Sequence, residues 1–425
     1  MIGGEFMRVV SRTYRLYPNQ VMKQVLDELC DYRRYCWNQA LDLWNYLYED
    51  RTTVPFYVYR FTPKKNKKTG KVTVTKKKIS LKPYPNWRRV RNLMVEQKED
   101  WQFQYSAHLL QLAVQDLGKA WQAFFDKSQA RQGKPHFKSK KAPKQGFKSD
   151  QAKLEESLLY LEKPREYQGE WQPIKFKGKM LSDKFGVLSI TKRNDKYYIS
   201  IPFKIETTVL MPKVGQDTAV DLNVGHFNYT DGNKQVLPGR LQQSYQRVAY
   251  YQRLLAKKRT VNGRIKGTKS HRYAKVRAKL QREYERSANF QKDLMHKFTT
   301  KLVKQYDRIV IEDLDVKSML MSHVASKGMH RSMFGTFRRI LTYKCEWYGR
   351  ELIIANKLYP STQRCAKCGY VKIGDEKITL QGNKKHGTKH NEYICYECGY
   401  KNDRDKNAVL NLYALIEHPE LNKAA

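Results

Sequence analysis

The sequence contains no long apolar run and is poor in acidic residues. No stretch approaches the roughly 18 uncharged apolar residues that a membrane-spanning helix needs, and no basic amphipathic anchor stands out, so we expect no membrane partner. Asp and Glu number 41 against 82 Lys and Arg, which gives the 425 residues a net charge of +41. Solubility alone does not require such an excess, and the charge favours a polyanionic partner, foremost a nucleic acid.

Cysteine is also scarce, and its placement argues against a disulfide framework. Four of the seven cysteines form two Cys-x-x-Cys pairs, and an odd total in a chain without a secretion signal indicates a reducing cytoplasm. Residues 1–6 (MIGGEF) resemble a cloning remnant, with Met7 as the expected natural start.

The first half of the sequence predicts strands on both sides of a helical segment. Residues 8–16 are a short, β-branched and half-basic run that predicts a strand, and apolar residues three and four apart from Val21 to Leu47 predict a helix. Further helical structure is predicted over 87–132, and further strands at 158–161, 173–176, 186–192 and 197–203. We therefore expect a small β-barrel formed by residues 7–17 and 131–213, with residues 18–130 as a helical insertion.

The segment from Arg60 to Pro85 is rich in lysine and has no acidic residue. Two interpretations remain open: a solubilising surface loop, or a loop or β-ribbon that meets a phosphate backbone. This segment, the first helix and residues 133–141 supply the side chains that we expect to clamp a nucleic-acid backbone or to read base edges. These residues are Arg33, Arg34, Asn38, Lys76, Lys77, Lys78, Lys134, Phe137, Lys138, Lys140 and Lys141.

The second half predicts an α/β layer with a mixed sheet. Short apolar strands at 218–222, 308–311 and 351–357 are separated by long basic helices over 238–258 and 270–306 and by a shorter helix over 332–350. The fold class expected for the whole chain is therefore multidomain, with α+β and α/β parts.

Two Cys-x-x-Cys pairs form the most specific single motif. They consist of Cys365, Cys368, Cys395 and Cys398. A glycine follows each pair, which suits the tight turn of a zinc knuckle, and four thiolates suit one structural Zn²⁺. The 26 residues between the pairs exceed the usual spacing, and His386 and His390 are spare ligands nearby. A redox dithiol is the alternative, but two such similar units favour zinc.

Three carboxylates follow apolar runs or begin a helix. Asp221 and Glu312 each end an apolar strand, and Asp405 lies at the start of the last predicted helix. A carboxylate in this position is costly unless it is paired or binds a cation, and three together would resist ionisation. Mg²⁺ would resolve this because it prefers oxygen ligands, and two ions about 3.5–4 Å apart could hydrolyse a phosphodiester. As N-caps or salt-bridge partners, the same residues would need no metal.

The order of these motifs resembles that of the TnpB proteins of bacterial transposons and the related miniature type V CRISPR nucleases. The resemblance is sharp over about Thr218 to Leu412. The matching segments are Gly133–Lys138, Ala219–Leu222, Asp293–Lys297, Ile309–Leu314, Leu341–Lys344, Trp347–Gly349, Ser361–Gly369 and Asp403–Ala408. One departure is Asn223, which stands where the family commonly has glycine.

The resemblance implies a domain plan. Residues 214–358 and 401–425 would form a RuvC-like nuclease domain of the RNase H fold, interrupted by a zinc-binding nucleic-acid module at 359–400. The β-barrel with its helical recognition insertion would precede it. Asp221, Glu312 and Asp405 would be the catalytic residues and the Mg²⁺ ligands. Asp405 is preferred to Asp403 because the family's aspartate stands two residues before an Asn-Ala pair.

The resemblance also implies the partners and the place of action. The chain would bind a structured guide RNA transcribed beside its gene, and a double-stranded DNA target with a short flanking motif. It would act as a monomer or a homodimer on the RNA, in the bacterial cytoplasm at the nucleoid. Its compact length favours a transposon origin over a CRISPR origin.

The expected function is an RNA-guided DNA endonuclease that uses two Mg²⁺ ions after the guide has paired with the target strand. Two alternatives stay open. One is a nuclease-silent, RNA-guided DNA-binding protein of the transcriptional-repressor kind, which the intact set of three carboxylates disfavours. The other is a zinc-containing transposition accessory protein without a guide.

From the net charge of +41 we predict that nucleic-acid affinity falls steeply with salt, because binding to a phosphate backbone releases counterions. RNA binding measured over a series of rising NaCl concentrations checks this, with gel filtration of the RNA-free chain in the same buffers. An affinity that stays flat across the series would contradict the electrostatic interpretation.

Overall fold

The chain divides into two compact units, Met1–Thr207 (unit 1) and Thr208–Ala425 (unit 2). The structure is a computed structural model that describes residues 8–53, 57–65, 72–80, 84–126, 128, 133–205, 210–236, 238–261, 264–265, 270–314, 333–379 and 381–422. None of the helices within these ranges combines the length and the apolar character needed to cross a bilayer. The finer division into barrel, insertion, nuclease domain and zinc module stays a prediction.

Unit 1 combines a sheet, a separate ribbon and three helices among its described residues. In chain order the elements are β1 (Arg8–Tyr17), α1 (Gln20–Thr53), β2 (Tyr57–Lys65), β3 (Val72–Ser80), α2 (Trp87–Glu96), α3 (Ala107–Phe125), β4 (Lys144–Ser149), β5 (Lys153–Glu155), β6 (Leu158–Tyr160), β7 (Ile174–Lys177), β8 (Leu188–Arg193) and β9 (Lys196–Ile205). The sheet has the order β4-β8-β9-β1-β7-β6-β5, and β1 lies near its middle between β9 and β7. The helical segment therefore lies, in chain order, between the first strand and the other strands of the same sheet.

The strand pairing in unit 1 gives the form of the lysine-rich segment, while the role of this segment and the closure of the sheet stay predictions. β2 and β3 pair antiparallel, so the lysine-rich segment forms a β-ribbon. The edge strands β4 and β5 are not paired with each other in the described sheet, so closure into a barrel stays a prediction.

Local chemistry explains the turns and helix ends of unit 1. Asn194 and Asp195 have φ values of 47° and 59° in the turn between β8 and β9, a conformation that Asn and Asp tolerate well. The helical stretch expected over 87–132 is broken, because α2 ends at Glu96 and α3 starts only after Ser106. The Ser106 hydroxyl accepts the His108 backbone N–H at 3.2 Å and so caps the new helix.

Unit 2 is built on a mixed five-stranded sheet. In chain order its elements are β10 (Asp217–Asn223), β11 (His226–Tyr229), β12 (Asn233–Val236), α4 (Gly239–Arg259), β13 (Thr260–Val261), β14 (Arg264–Ile265), α5 (His271–Gln305), β15 (Arg308–Ile311), α6 (Phe334–Tyr348), β16 (Glu351–Ile354), β17 (Glu392–Ile394), β18 (Lys401–Asp403) and α7 (Arg404–Ala414). The order is β12-β11-β10-β15-β16. β12, β11 and β10 run antiparallel, whereas β10, β15 and β16 run parallel.

Alternation along the central strands divides the core of unit 2 between the two faces of this sheet. Val220, Ile309 and Ile311 pack on one face with apolar residues of α5 and α6. Ala219 and Val310 pack on the other face with apolar residues of α7. Because successive side chains of a strand point to opposite faces, residues 221 and 312 belong to the α7 face.

A buried arginine joins α5, α6 and the start of unit 2. The side chain of Arg350 is 1% exposed and forms an ion pair with Asp307 at 2.5 Å. It also donates to the carbonyl oxygens of Val303 at 2.8 Å and Pro212 at 2.9 Å. The backbone N–H groups of residues 214 and 215 donate to the same Asp307 carboxylate. Each of the three guanidinium nitrogens thus donates to an acceptor inside the protein.

We predict that Arg350→Met lowers the free energy of unfolding by about 3–5 kcal/mol, because it leaves the Asp307 carboxylate without its cation and two carbonyls without donors. Lys297→Met is the matched control, since Lys297 is 75% exposed and pairs with Asp293 along one helix; its cost should stay below about 1 kcal/mol. Urea unfolding of the full chain measures both. Equal costs for the two variants would contradict the assignment.

Candidate functional site

The parallel pair β10 and β15 brings two carboxylates to one edge of the sheet. Val220 and Ile311 are register partners in this pair. Asp221 and Glu312 each follow one residue later, so both lie at the same level and on the α7 face. Glu312 also accepts the backbone N–H of Leu222. Asp221 is buried, with 6% of its surface exposed.

The first turn of α7 supplies the third carboxylate. Asp403 caps this helix by accepting the backbone N–H groups of Asp405 at 3.0 Å and Lys406 at 3.1 Å. Asp405 therefore projects from the helix itself, and its carboxylate accepts from the Asn228 amide at 2.9 Å. Asn228 is the cross-strand partner of Asp221. The sheet and the helix thus bring together the three acidic residues that the sequence singled out.

The three carboxylates act on one another electrostatically. Burial raises the pKa of Asp221 well above its ordinary value, and the charges of Glu312 and Asp405 raise it further. Burial also raises the pKa of Glu312, against hydrogen bonds from Ser361 and the Leu222 backbone, with Asp405 adding to the rise. A bound cation would remove this penalty, because it stabilises the ionised form of every carboxylate near it.

Each carboxylate is also held by a polar neighbour that the sequence analysis did not assign to the site. The Asn223 amide donates to Asp221 at 2.5 Å, and the Ser361 hydroxyl donates to Glu312 at 2.6 Å. His226 and Arg404 lie 3.4 Å from Asp405. Alternation in the sequence of β11 could have pointed to two neighbours of Asp405. His226 and Asn228 are polar and half-buried, whereas Phe227 and Tyr229 between and after them are buried.

The four cysteines form a tighter ligand group than the carboxylates. The sulfur atoms of Cys365, Cys368, Cys395 and Cys398 all lie within 4.8 Å of one another. Among the described residues, no other group of three or more possible metal ligands is as close. The three carboxylates do not meet that spacing. Asp405 is close enough to raise the pKa of both Asp221 and Glu312, yet each of the three carboxylates is held by its own neutral donor.

Two matching turns build the cysteine cluster. In each, the first cysteine donates its N–H to a tyrosine carbonyl five residues on, Tyr370 or Tyr400, at 2.8 Å. Gly369 and Gly399 have φ values of 79° and 70°, which glycine adopts without strain. Close sulfur contacts join the two pairs, 3.7 Å for Cys365–Cys398 and 3.6 Å for Cys368–Cys395. One four-sulfur site for a structural Zn²⁺ fits this arrangement better than two separate dithiols.

The two spare histidines stay outside the cysteine cluster. Neither His386 nor His390 belongs to the ligand group found among the described residues. The His386 ring instead stacks on Tyr396 with ring centroids 4.3 Å apart. The long segment between the cysteine pairs therefore packs against the module and contributes no ligand to it.

In unit 1, the first helix and residues 133–141 form a basic surface in which several polar groups already have partners. Asn38 donates to the Lys138 carbonyl at 3.1 Å and accepts the Lys138 N–H at 2.8 Å, so its amide fixes this segment. Arg33 pairs with Asp116 at 3.0 Å, and Arg34 pairs with Asp31 at 2.9 Å. Their contact with nucleic acid stays a prediction.

A groove of about 520 Å³ lies on this surface of unit 1. Its basic lining residues are Arg33, Arg34, Lys138, Lys144 and Lys148, against the single acidic residue Asp116. The Lys138 ammonium lies 3.4 Å from the centre of the Trp37 ring. Burial, helped by Arg33, lowers the pKa of Lys138 to about 7. An anion in the groove would favour the charged form of this lysine.

The other expected nucleic-acid contacts lie on exposed parts of unit 1. Lys140 pairs with Asp31 at 2.7 Å, and Phe137 is 54% exposed. Lys134 lies 5.6 Å from the centre of the Trp121 ring, and Lys141 is exposed. Lys76, Lys77 and Lys78 follow one another on β3, where the side chains of the last two lie outside the described residues.

Three family models match successive parts of the chain. A model for a helix-turn-helix domain matches residues 7–52, one described as "Probable transposase" (OrfB_IS605) matches residues 200–323, and the Cas12f1-like TNB domain matches residues 334–412. Together the matches cover more than half of the chain. Over 8–52 the structure has β1 followed by the single long helix α1.

Curated proteins are similar over parts of their length. A Streptomyces pristinaespiralis protein named "Putative RNA-guided DNA endonuclease" is 33% identical over 162 residues, or 38% of this chain and 37% of the relative. A Mycobacterium tuberculosis protein of that name is 31% identical over 173 residues, or 39% and 34%. The chain thus spans little more than a third of these two relatives. Escherichia coli InsQ, of the same name, is 27% identical over 327 residues, or 72% and 73%.

A solved structure shares the fold. A chain of the Cas12f1–sgRNA–target DNA complex aligns with a TM-score of 0.51 at 11% identity, over 93% of this chain and 83% of that chain. The likeness confirms the coarse fold expectation, a multidomain chain with helices and sheets.

We predict that the purified chain carries one Zn²⁺ and that Cys365→Ser reduces its zinc content to near zero, because three thiolates no longer complete a tetrahedral site. Cys345→Ala is the control, since Cys345 is a buried cysteine of α6 outside the cluster. Elemental analysis by mass spectrometry measures both. Zinc that is absent from the wild-type chain, or retained in Cys365→Ser, would contradict the assignment.

Proposed function

We propose that the chain is an RNA-guided DNA endonuclease of the family of TnpB proteins and miniature type V nucleases, from the matched family models, the similar relatives and its carboxylate centre. The observation that carries the proposal is the cluster of Asp221, Glu312 and Asp405. These residues come from three separate parts of unit 2, and the charge of Asp405 raises the pKa of both Asp221 and Glu312. The relatives named as RNA-guided DNA endonucleases support the same activity.

We propose that unit 2 contains a RuvC-like domain of the RNase H fold, formed by residues 214–358 and 401–425. The support is the order β12-β11-β10-β15-β16, in which an antiparallel meander is extended by two parallel strands. The zinc module at 359–400 would be an insertion between β16 and α7. In unit 1, residues 7–17 and 131–213 would form the barrel-like domain, and 18–130 the recognition insertion.

The donor set fits Mg²⁺. The ligands on offer are carboxylate oxygens, which Mg²⁺ prefers, and they are partly withdrawn from water. Among the described ion pairs, Arg404 is the one partner that carries a permanent positive charge, and it lies 3.4 Å from Asp405; the His226 ring lies at the same distance. One cation beside three carboxylates leaves a net negative site. When bound there, two Mg²⁺ ions would activate the attacking water and stabilise the leaving oxygen of a phosphodiester.

The chain's own residues would orient this centre. Asn223, Ser361 and Asn228 are neutral donors, so they fix the carboxylates without competing with a cation for charge. Strands β10 and β15 fix the positions of Asp221 and Glu312, since each residue directly follows a member of the last register pair, Val220 and Ile311. The rigid sheet supplies the preorganised positions that cleavage needs.

Guide RNA and target DNA would account for the positive charge. The groove of unit 1 and the β-ribbon of β2 and β3 offer lysine and arginine to a phosphate backbone, as channels that hold an RNA–DNA heteroduplex do. The complex of Cas12f1 with sgRNA and target DNA supports these partners. Sequence would be read by base pairing, with the protein contacting mainly the backbone and the flanking motif.

We predict that Asp221→Asn, Glu312→Gln and Asp405→Asn each lower the rate of target cleavage by more than about 100-fold and leave RNA binding unchanged. A loss of about 100-fold is the upper end for residues that only hydrogen-bond to a metal ligand, and a ligand itself should matter more. The chain is coexpressed with the transcribed region flanking its gene. Cleavage is then measured on plasmids that carry the guide-matched target beside a randomised flank.

Asp403→Asn is the matched control for this experiment. Asparagine caps helices as well as aspartate does, so α7 should stay intact and most cleavage should remain. Full cleavage by any of the three variants would refute that residue's assignment. RNA binding without cleavage by the wild-type chain would favour the nuclease-silent alternative, and the absence of a bound RNA would favour the accessory protein.

A further inference from the structure

A serine at the entrance to the zinc module holds one of the carboxylates. Ser361 is 5% exposed, and its hydroxyl donates to Oε1 of Glu312 at 2.6 Å. The two residues are 49 positions apart in the sequence. Glu312 ends the strand run of β15, whereas Ser361 belongs to the turn that leads into the first Cys-x-x-Cys pair. The contact therefore joins the carboxylate centre to the cysteine module.

Two buried asparagines of α7 hold the segment that carries this serine. The Asn411 amide donates to the carbonyl oxygens of Ser361 at 2.8 Å and Arg364 at 2.6 Å. Asn407 donates to the Arg364 carbonyl at 2.7 Å and accepts the Ala366 N–H at 3.1 Å. Both asparagines are almost fully buried, at 2% and 0% exposure. The segment 361–366 is thus tied to α7 by four hydrogen bonds.

The same helix carries the third carboxylate, and the same segment carries the first cysteine. Asp405 lies two residues before Asn407 on α7, and Cys365 lies four residues after Ser361. Tyr359 adds a further link, because its hydroxyl donates to the Asn411 carbonyl at 2.9 Å. A shift of this segment would therefore move the donor on Glu312 relative to Asp405.

We propose that Ser361 is a positioning residue for Glu312, held in place by Asn411 and Asn407, so that the zinc module sets the geometry of the carboxylate centre. This inference rests on the proposed function, because it assigns a role within the divalent-cation centre. A hydroxyl donor fixes one oxygen of Glu312 and adds no charge, so the carboxylate keeps its full attraction for a cation. Residues that hydrogen-bond to a metal ligand orient that ligand and thereby raise the affinity of the site for the metal ion.

The test uses Mn²⁺ as the probe, followed by electron paramagnetic resonance on the RNA-free, zinc-loaded full chain in high salt. Ser361→Ala is expected to weaken the binding of Mn²⁺ at the centre by about 10–100-fold. Ser361→Thr keeps the hydroxyl and should bind within a few-fold of wild type. Asn411→Ala leaves the hydroxyl in place but frees its backbone, and should give a smaller loss than Ser361→Ala.

Ser287→Ala is the matched control. Ser287 is equally buried, at 5% exposure. Its hydroxyl donates to the Glu283 carbonyl oxygen, within α5, at 3.0 Å. It should leave Mn²⁺ binding unchanged. Zinc content and the unfolding midpoint are measured for every variant, and Ser361→Ala should match Ser287→Ala in both.

Three results would overturn the inference. The first is wild-type Mn²⁺ affinity in Ser361→Ala. The second is loss of zinc from Ser361→Ala, since the residue would then act by holding the module together. The third is weakened binding in Ser361→Thr equal to that in Ser361→Ala, since the hydroxyl would then be irrelevant. Asp221→Asn separates this failure from that of the proposed function: if it leaves Mn²⁺ binding intact, the carboxylate centre itself is wrong.

Discussion

The repulsion among three partly buried carboxylates is the constraint on which unit 2 depends. Folding withdraws Asp221 and Glu312 from water at the edge of a parallel ladder, and α7 adds Asp405. Such an arrangement costs free energy that packing elsewhere must offset, and a bound cation is the simplest way to recover it. The apolar residues of β10 and β15 can offset this free energy, because they pack both strands into two separate hydrophobic cores.

Helix α7 connects this centre to the rest of unit 2. Its apolar side packs on Ala219 and Val310, its first turn presents Asp405, and its buried amides hold the segment that enters the cysteine module. Because α7 makes all three contacts, residues 361–366 at the start of the cysteine module are held against the same helix that carries Asp405.

The carboxylates and cysteines could be predicted from the sequence because their signals are local. Asp221 and Glu312 each follow an apolar run, and this order alone predicts that both lie near the carboxyl ends of strands. The cysteine pairs carry their own turn chemistry in Gly369 and Gly399. The chain order of these motifs and the family resemblance then placed Asp405 with them.

The residues that the sequence did not reveal depend on long-range geometry. Ser361 meets Glu312 only through the path of the chain between β16 and α7, and Asn228 meets Asp405 only through the register of β11. The sequence also did not reveal that the amide of Asn38, a predicted nucleic-acid contact, binds the backbone of Lys138. Periodicity likewise did not reveal the break between α2 and α3, because Ser106 starts a new helix inside one continuous apolar pattern. The strands β4 and β5 are short and mostly polar, so their sequences show no alternation of apolar and polar residues that would predict a strand.

The most direct test of the account is an anomalous diffraction map of crystals soaked in Mn²⁺, with the zinc signal at the four cysteines as an internal reference. The account predicts a manganese peak within bonding distance of carboxylate oxygens from Asp221, Glu312 and Asp405. A map that shows zinc at the cysteines but no manganese between these three side chains would contradict it.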